Sequence, residues 1–361
     1  MIGFLCATPY HVMVAITMAT GEFADKKAVL VIMDHAANFN EEFVKKVEGL
    51  GIFEKVLLYK SNKKTKLNNI KRLVNAFFVP KLVRDLAKMD FSHFFCLALN
   101  FIDAAYLVRQ FEKRGTNCEV CFADDGIGTY VSKTIYVPKK VSTLILKLNG
   151  NMKYLYKIKK LYAYKPELIV VEDRFELVKI VQNSHTASEL RRAMGVLWPI
   201  DTDIDMGGKI LYFEQPYGDI EGGEVVFDEI RLLGLVTKTN GMDACIKMHP
   251  RSTYESLWAD FDIIKSKIPF EAMLAQIECS PLMYMSNCST ALFSCYFLDT
   301  LDSKAPSTVM LNRMLTFPGP DSNKRFAKFT ARINECFPEG SIFAPESEDE
   351  LLKVTAQIYR K

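Results

Sequence analysis

Short, uninterrupted apolar runs alternate with longer amphipathic stretches through the first half of the chain. The runs at residues 2–6, 28–33 (AVLVIM), 53–59, 91–99 and 118–122 read as strands buried in a sheet. Between them, the segments from residue 10 onward, 43–50, 70–89 and 103–114 carry apolar residues at helical spacing. Gly51 and Gly115 stand where two of these helices stop, and Pro80 interrupts a third. Strand and helix taken in turn predict a parallel sheet covered on both faces.

A basic and aromatic tract, YVPKKVSTLILKLNGNMKYLYKIKKLYAYKP at residues 136–166, breaks that rhythm. Lysines interleave there with Tyr154, Tyr156, Tyr162 and Tyr164, as on a membrane-surface helix or a solvated helix face. A second basic segment spans residues 60–72. A weak strand is expected at 168–171. The turn-rich stretch MGVLWPIDTDIDMGG (194–208) then marks a junction between domains at residues 1–205 and 206–361. The alternation resumes, with strands at 209–214, 244–248, 282–285 and 307–311. Helices are expected at 224–235, 269–276, 290–298 and 347–359, the last packing back on the first domain. The expected fold is α/β, with two Rossmann-like domains facing a central cleft.

The length of 361 residues suits two domains, and 49% apolar residues with 25 Phe and 15 Tyr are enough for real cores. A net charge of +3 is too small to argue for nucleic acid, and no nucleic-acid motif accompanies the basic tracts. Nine cysteines include one C-x-x-C, Cys118–Cys121, on an extended run that turns the two thiols to opposite faces. Reduced, mostly buried thiols fit a cytoplasmic protein. The start, MIGFLCATPYHVMVAITMAT, has Pro9 and His11 in its middle and no basic leader, so neither a signal peptide nor a membrane span is expected. Asp201, Asp203 and Asp205 in DTDID have the spacing of metal-holding acids but no strong strand before them, which favours a solvated linker.

Three short motifs carry candidate chemistry. Asp124 and Asp125 follow the strand at 118–122, where open α/β sheets collect ligands, and Gly126 and Gly128 permit tight turning. One carboxylate can point into a cleft while the other caps a turn, although Asp-Asp-Gly is also a common surface turn. His249 follows an apolar strand and precedes Pro250, which biases it away from helical geometry. It can donate to a phosphate or serve as a capped turn residue. Ser289 and Thr290 precede an apolar helix, either as a plain N-cap or as part of a phosphate-binding helix start.

Taken together, CATPYH, DDG, the His-Pro pair, the Ser-Thr pair and FEQPYGD (213–219) resemble the bacterial sialyltransferases that decorate lipooligosaccharide and capsular polysaccharide, glycosyltransferase family 52. The resemblance implies a GT-B enzyme that inverts configuration and uses CMP-sialic acid as donor. Its acceptor would be a galactose-terminated oligosaccharide, and the reaction would need no metal or other cofactor. It assigns general-base chemistry to Asp125 supported by Asp124, and phosphate contact to His249 with Pro250, Ser289 and Thr290. Gln215 joins the nucleotide side; Pro9, Tyr10, His11 and Gly126 join the acceptor side. A serine or threonine directly after the glycine is usual in that family, whereas Ile127 and Gly128 intervene here before Thr129. The expected location is the cytosol with contact to the inner membrane face, and a homodimer is left open. Transfer from another nucleotide sugar, or a non-catalytic glycan- or membrane-binding role on the same scaffold, are the competing readings.

Overall fold

The computed structural model describes residues 1–34, 39–60, 78–97, 101–131, 140–170, 174–200, 204–215, 222–249, 252, 255–264, 266–276, 281–287, 289–298, 306–315, 320–337 and 342–360. The chain divides into two compact units, Met1–Leu197 and Trp198–Lys361.

The first unit is built on strands β1 (Ile2–Cys6), β2 (Ala28–Met33), β3 (Lys55–Tyr59), β4 (His93–Cys96), β5 (Glu119–Ala123), β6 (Lys160–Ala163) and β7 (Glu176–Lys179). They pair in the order β3-β2-β1-β4-β5-β6-β7, every pair parallel. Ile2 stands opposite both Ala28 and His93, so β1 lies at the centre and every one of its residues is buried. That burial explains the unbroken apolar run. Gly3 allows no larger residue, because a Cβ there would sit 2.6 Å from the Phe94 ring. The helix Pro9–Thr20 is buried from His11 to Thr20. Its Thr17 and Thr20 hydroxyls return hydrogen bonds to the carbonyls of Met13 and Ile16.

The second unit repeats the plan with β8 (Ile210–Phe213), β9 (Ala244–Lys247), β10 (Asp262–Ile264), β11 (Met283–Ser286), β12 (Ser307–Met310) and β13 (Ile342–Phe343). The order is β10-β9-β8-β11-β12-β13, again parallel throughout. Each sheet runs outward from its first strand in one direction and then reverses, the doubly wound Rossmann arrangement. Its core joins Tyr212, Leu233, Ile246, Trp258, Leu351 and Ile358. The last helix, Glu348–Tyr359, therefore packs into its own unit, where Thr355 accepts a hydrogen bond from Asn240 at 2.8 Å.

Several expectations are corrected. Part of the basic tract is the buried strand β6, with Tyr162 and Tyr164 inside the protein. The strand expected at 168–171 is a 3-10 turn, Pro166–Leu168, followed by chain outside the ladder, with residue 171 outside the described residues. A helix, Ser184–Leu197, occupies the front of the segment read as irregular. Strands β10 and β13 and the helix Pro320–Cys336 were not anticipated. Of the helix expected at 70–89, residues 78–89 lie within the described residues, and there only Lys81–Leu86 is helical.

Candidate active site

In the first unit the motifs converge at the carboxyl edge of the sheet. Thr8 caps the helix Pro9–Thr20 by accepting the His11 N–H at 3.2 Å, and Pro9 fills the first turn where no donor is needed. This start turns Tyr10 and His11 toward the end of β5. The Tyr10 hydroxyl donates to Asp124 Oδ1 at 3.2 Å, and His11 Nε2 bonds Asp125 Oδ1. The Ala7 N–H donates to His11 Nδ1 at 3.1 Å. Since a backbone amide can only donate, Nδ1 is bare and the ring presents its proton from Nε2 to Asp125.

The neighbouring acids have opposite surroundings. Asp124 is fully buried and accepts four hydrogen bonds. The Gly126 N–H (2.9 Å) and Tyr10 donate to Oδ1, while the Tyr130 hydroxyl and the Tyr164 N–H (3.3 Å) donate to Oδ2. Burial raises its pKa to about 6, against the pull of those four donors. The Asp125 side chain is 42% exposed, and its backbone N–H donates to Thr129 Oγ1 at 2.7 Å. Directly after the pair, Gly126 adopts a φ of 89°, the left-handed region that glycine enters freely. Asp124 thus anchors the loop, while the Asp125 carboxylate reaches solvent.

The second unit gathers its motifs at the ends of β9, β8 and β11, which are neighbours. Glu214, directly after β8, is buried. It accepts the His249 N–H at 3.0 Å on Oε2 and the Ser252 hydroxyl at 2.7 Å on Oε1, fixing the His249 turn. Burial raises its pKa, opposed by those two bonds. Gln215 donates to the Glu214 carbonyl at 3.2 Å. Across β8, the Ser286 hydroxyl donates to the Phe213 carbonyl at 2.7 Å. Ser289 then caps the 3-10 turn Thr290–Phe293, its hydroxyl accepting the Ala291 N–H at 3.3 Å. His249 and Ser289 therefore flank β8, beside the point where the strand order reverses. Pro250 lies outside the described residues, as do Asp201 and Asp203; Asp205 accepts the Gly207 N–H at 3.1 Å in a turn.

Sequence reasoning missed several side chains here. The Tyr130 hydroxyl and the Tyr164 backbone N–H hold Asp124, and no motif in the sequence marks either partner. Glu214 had a signal, an acid ending an apolar strand just as Asp124 does. Lys247 and Glu271 are also buried at this edge. Lys247 donates to the Ser266 carbonyl at 2.7 Å, and burial lowers its pKa to about 8, with the Glu271 charge working in the other direction. Glu271 accepts the Ser294 hydroxyl at 2.7 Å and is raised by burial. An acid inside the apolar run FEAML was the visible hint. Burial raises the Cys118 thiol to about 12 and Cys121 further, which leaves both thiols protonated.

The fold has well-defined company. Over its full length the chain is similar to the glycotransferase of kitacinnamycin, at a TM-score of 0.55 with 10% identity, covering 90% of that chain. Spinosyn rhamnosyltransferase SpnG gives 0.55 and 10%, with 92% of its chain covered. A UDP-GlcNAc 2-epimerase from Methanocaldococcus jannaschii gives 0.54 and 9%, with 93% covered. No curated protein matches the sequence. Two Rossmann-like units of this kind make up the GT-B fold of glycosyltransferases.

A family model narrows the class. The alpha-2,8-polysialyltransferase model (POLYST) matches residues 4–300, and the chain belongs to that family. It is accordingly a glycosyltransferase of a sialyltransferase family. The matched family differs in name from the lipooligosaccharide group that the motifs resemble. Among the described residues, no helix is long and apolar enough to cross a membrane.

Proposed function

We propose that the protein transfers sialic acid from CMP-sialic acid to a hydroxyl group of a cell-surface glycan, in one displacement that inverts the anomeric carbon. The reading rests above all on Asp125, a half-exposed carboxylate oriented by a buried histidine while its neighbour is withdrawn into the protein. In this scheme Asp125 Oδ2 takes the proton of the attacking hydroxyl as its oxygen bonds to the anomeric carbon. Oδ1 stays bonded to His11, which orients the carboxylate. The bond from that carbon to the CMP phosphate breaks ahead of bond making, giving an oxocarbenium-like centre. His249, Ser289 and Thr290 supply hydrogen bonds to the departing phosphate, and Gln215 belongs to the same nucleotide side. Pro9, Tyr10, His11 and Gly126 form the acceptor side. The transfer runs without a metal ion.

Two acceptors are supported by different observations. The motifs that resemble lipooligosaccharide enzymes favour a terminal galactose, whereas the family description favours a terminal sialic acid extended through its 8-hydroxyl. The test is incubation with CMP-sialic acid and a panel of galactosides and sialosides, followed by mass spectrometry and linkage analysis. Addition of one or more sialic acid units is expected. A panel with other nucleotide sugars runs in parallel. Turnover with one of those and none with CMP-sialic acid would overturn the donor assignment.

A further inference from the structure

The helices Lys140–Leu148 and Met152–Leu155 follow each other on the first unit. One side of the longer helix enters the core, where Ile145 and Leu146 are buried. On the other side, Leu144 and Leu148 are separated by one turn and are 55% and 66% exposed. Lys147 stands exposed beside them, and Lys153 and Tyr156 are exposed past the connecting turn. The Arg174 guanidinium lies 5.2 Å from the centre of the Tyr156 ring. Lys157 and Lys160 are tied to Glu112 and Glu119, but Lys147, Lys153 and Lys159 make no ion pair among the described residues.

We infer that this strip rests on an anionic lipid surface. Leucines on one helix face with lysines around them match the interfacial pattern, in which apolar side chains enter the acyl boundary. Lysine stems reach back to the headgroups, and tyrosine sits at their level. Lys147, Lys153 and Lys159, none of them in an ion pair among the described residues, supply the charge complementarity that anionic headgroups reward. A protein partner fits less well. Lysine is depleted in protein interfaces, and two leucines fall far short of the roughly 800 Å² per partner that a stable one buries. The inference is independent of the transfer chemistry.

The test is co-sedimentation of the full chain with phosphatidylcholine vesicles and with vesicles containing phosphatidylglycerol as well. Binding is expected for the mixed vesicles alone, weakening as salt rises. The double variants L144E/L148E and K147E/K153E should each lose about tenfold or more in binding. Leu177→Glu, at an exposed leucine on β7, should bind as the natural chain does. Thermal melting of each variant establishes that it is folded. As a second readout, fluorescence of Leu148→Trp should shift to the blue with mixed vesicles, since Trp198 and Trp258 are already buried. Absence of binding to mixed vesicles, no shift for Leu148→Trp, or natural-strength binding by L144E/L148E would each overturn the inference. So would heparin binding through the lysines combined with vesicle binding that ignores the leucines.

Discussion

His11 and Asp125 are hydrogen-bonded across 114 positions of sequence, and the backbone N–H of Ala7 determines which nitrogen of the ring makes the bond. The end of β1 and the end of β5 therefore share one polar assembly. It gives Asp125 a fixed orientation without burying it.

Asp125→Asn should lower turnover by about 10²–10⁴, the usual worth of a general base. Its melting temperature should hardly change, because the carboxylate is partly in water. Steady-state assay with CMP-sialic acid and thermal melting check both halves. A near-natural rate would remove Asp125 from the chemistry.

For His11, asparagine is the informative replacement. Its side-chain oxygen can take the place of Nδ1 and keep an acceptor for the Ala7 N–H, while nothing reaches Asp125. Turnover should fall by about 10–100-fold from loss of orientation. A loss of folding without any change in the rate of the folded fraction would make His11 purely structural.

Asp124 predicts a pH-dependent stability. Its folded pKa, about 6, lies above the unfolded value of about 3.9. The folded state binds the proton more tightly, so this contribution is full below about pH 4 and lost as pH rises through 6. Two units correspond to roughly 3 kcal/mol. Asp124→Asn should be less stable than the natural chain, because an amide nitrogen would face the Tyr164 or Gly126 N–H. The difference should be largest below about pH 4 and should shrink by about 2 kcal/mol between pH 4.5 and pH 7. Denaturant titrations at the two pH values test the sign, and a constant difference would refute it.

In the second unit, His249→Ala should lower turnover about 10–100-fold. It should also weaken CMP binding by calorimetry. Glu214→Ala should reproduce part of this loss, since it frees the His249 backbone and Ser252 together. Unchanged CMP affinity and rate in both variants would exclude the turn from the nucleotide site.

Metal independence has a simple check. Turnover after exhaustive dialysis against EDTA should equal that of the untreated protein, and restoration by added magnesium or manganese would reverse this part of the scheme.

Much of the architecture was legible because parallel strands buried on both faces leave unbroken apolar runs, as in β1, β2 and β9. Where a strand is short and opens with a lysine, as Lys160 opens β6, the lysine pattern suggests a surface helix. The position of Tyr162 inside the sheet is a tertiary fact that composition does not carry. The acidic pair and His249 were visible because strand ends are marked by polar residues and glycine or proline. Their pairings were not, because the Tyr164 N–H reaches Asp124 from just past β6, and Glu214 reaches His249 from the end of the neighbouring strand.

The turn at Gly126 also means that two consecutive aspartates are not spares for one another. Mutational scanning should separate them cleanly: one column of losses would track abundance of the folded protein, the other would leave abundance intact and extinguish product. A double acid in sequence is here a division of labour, and neither site can inherit the other's task.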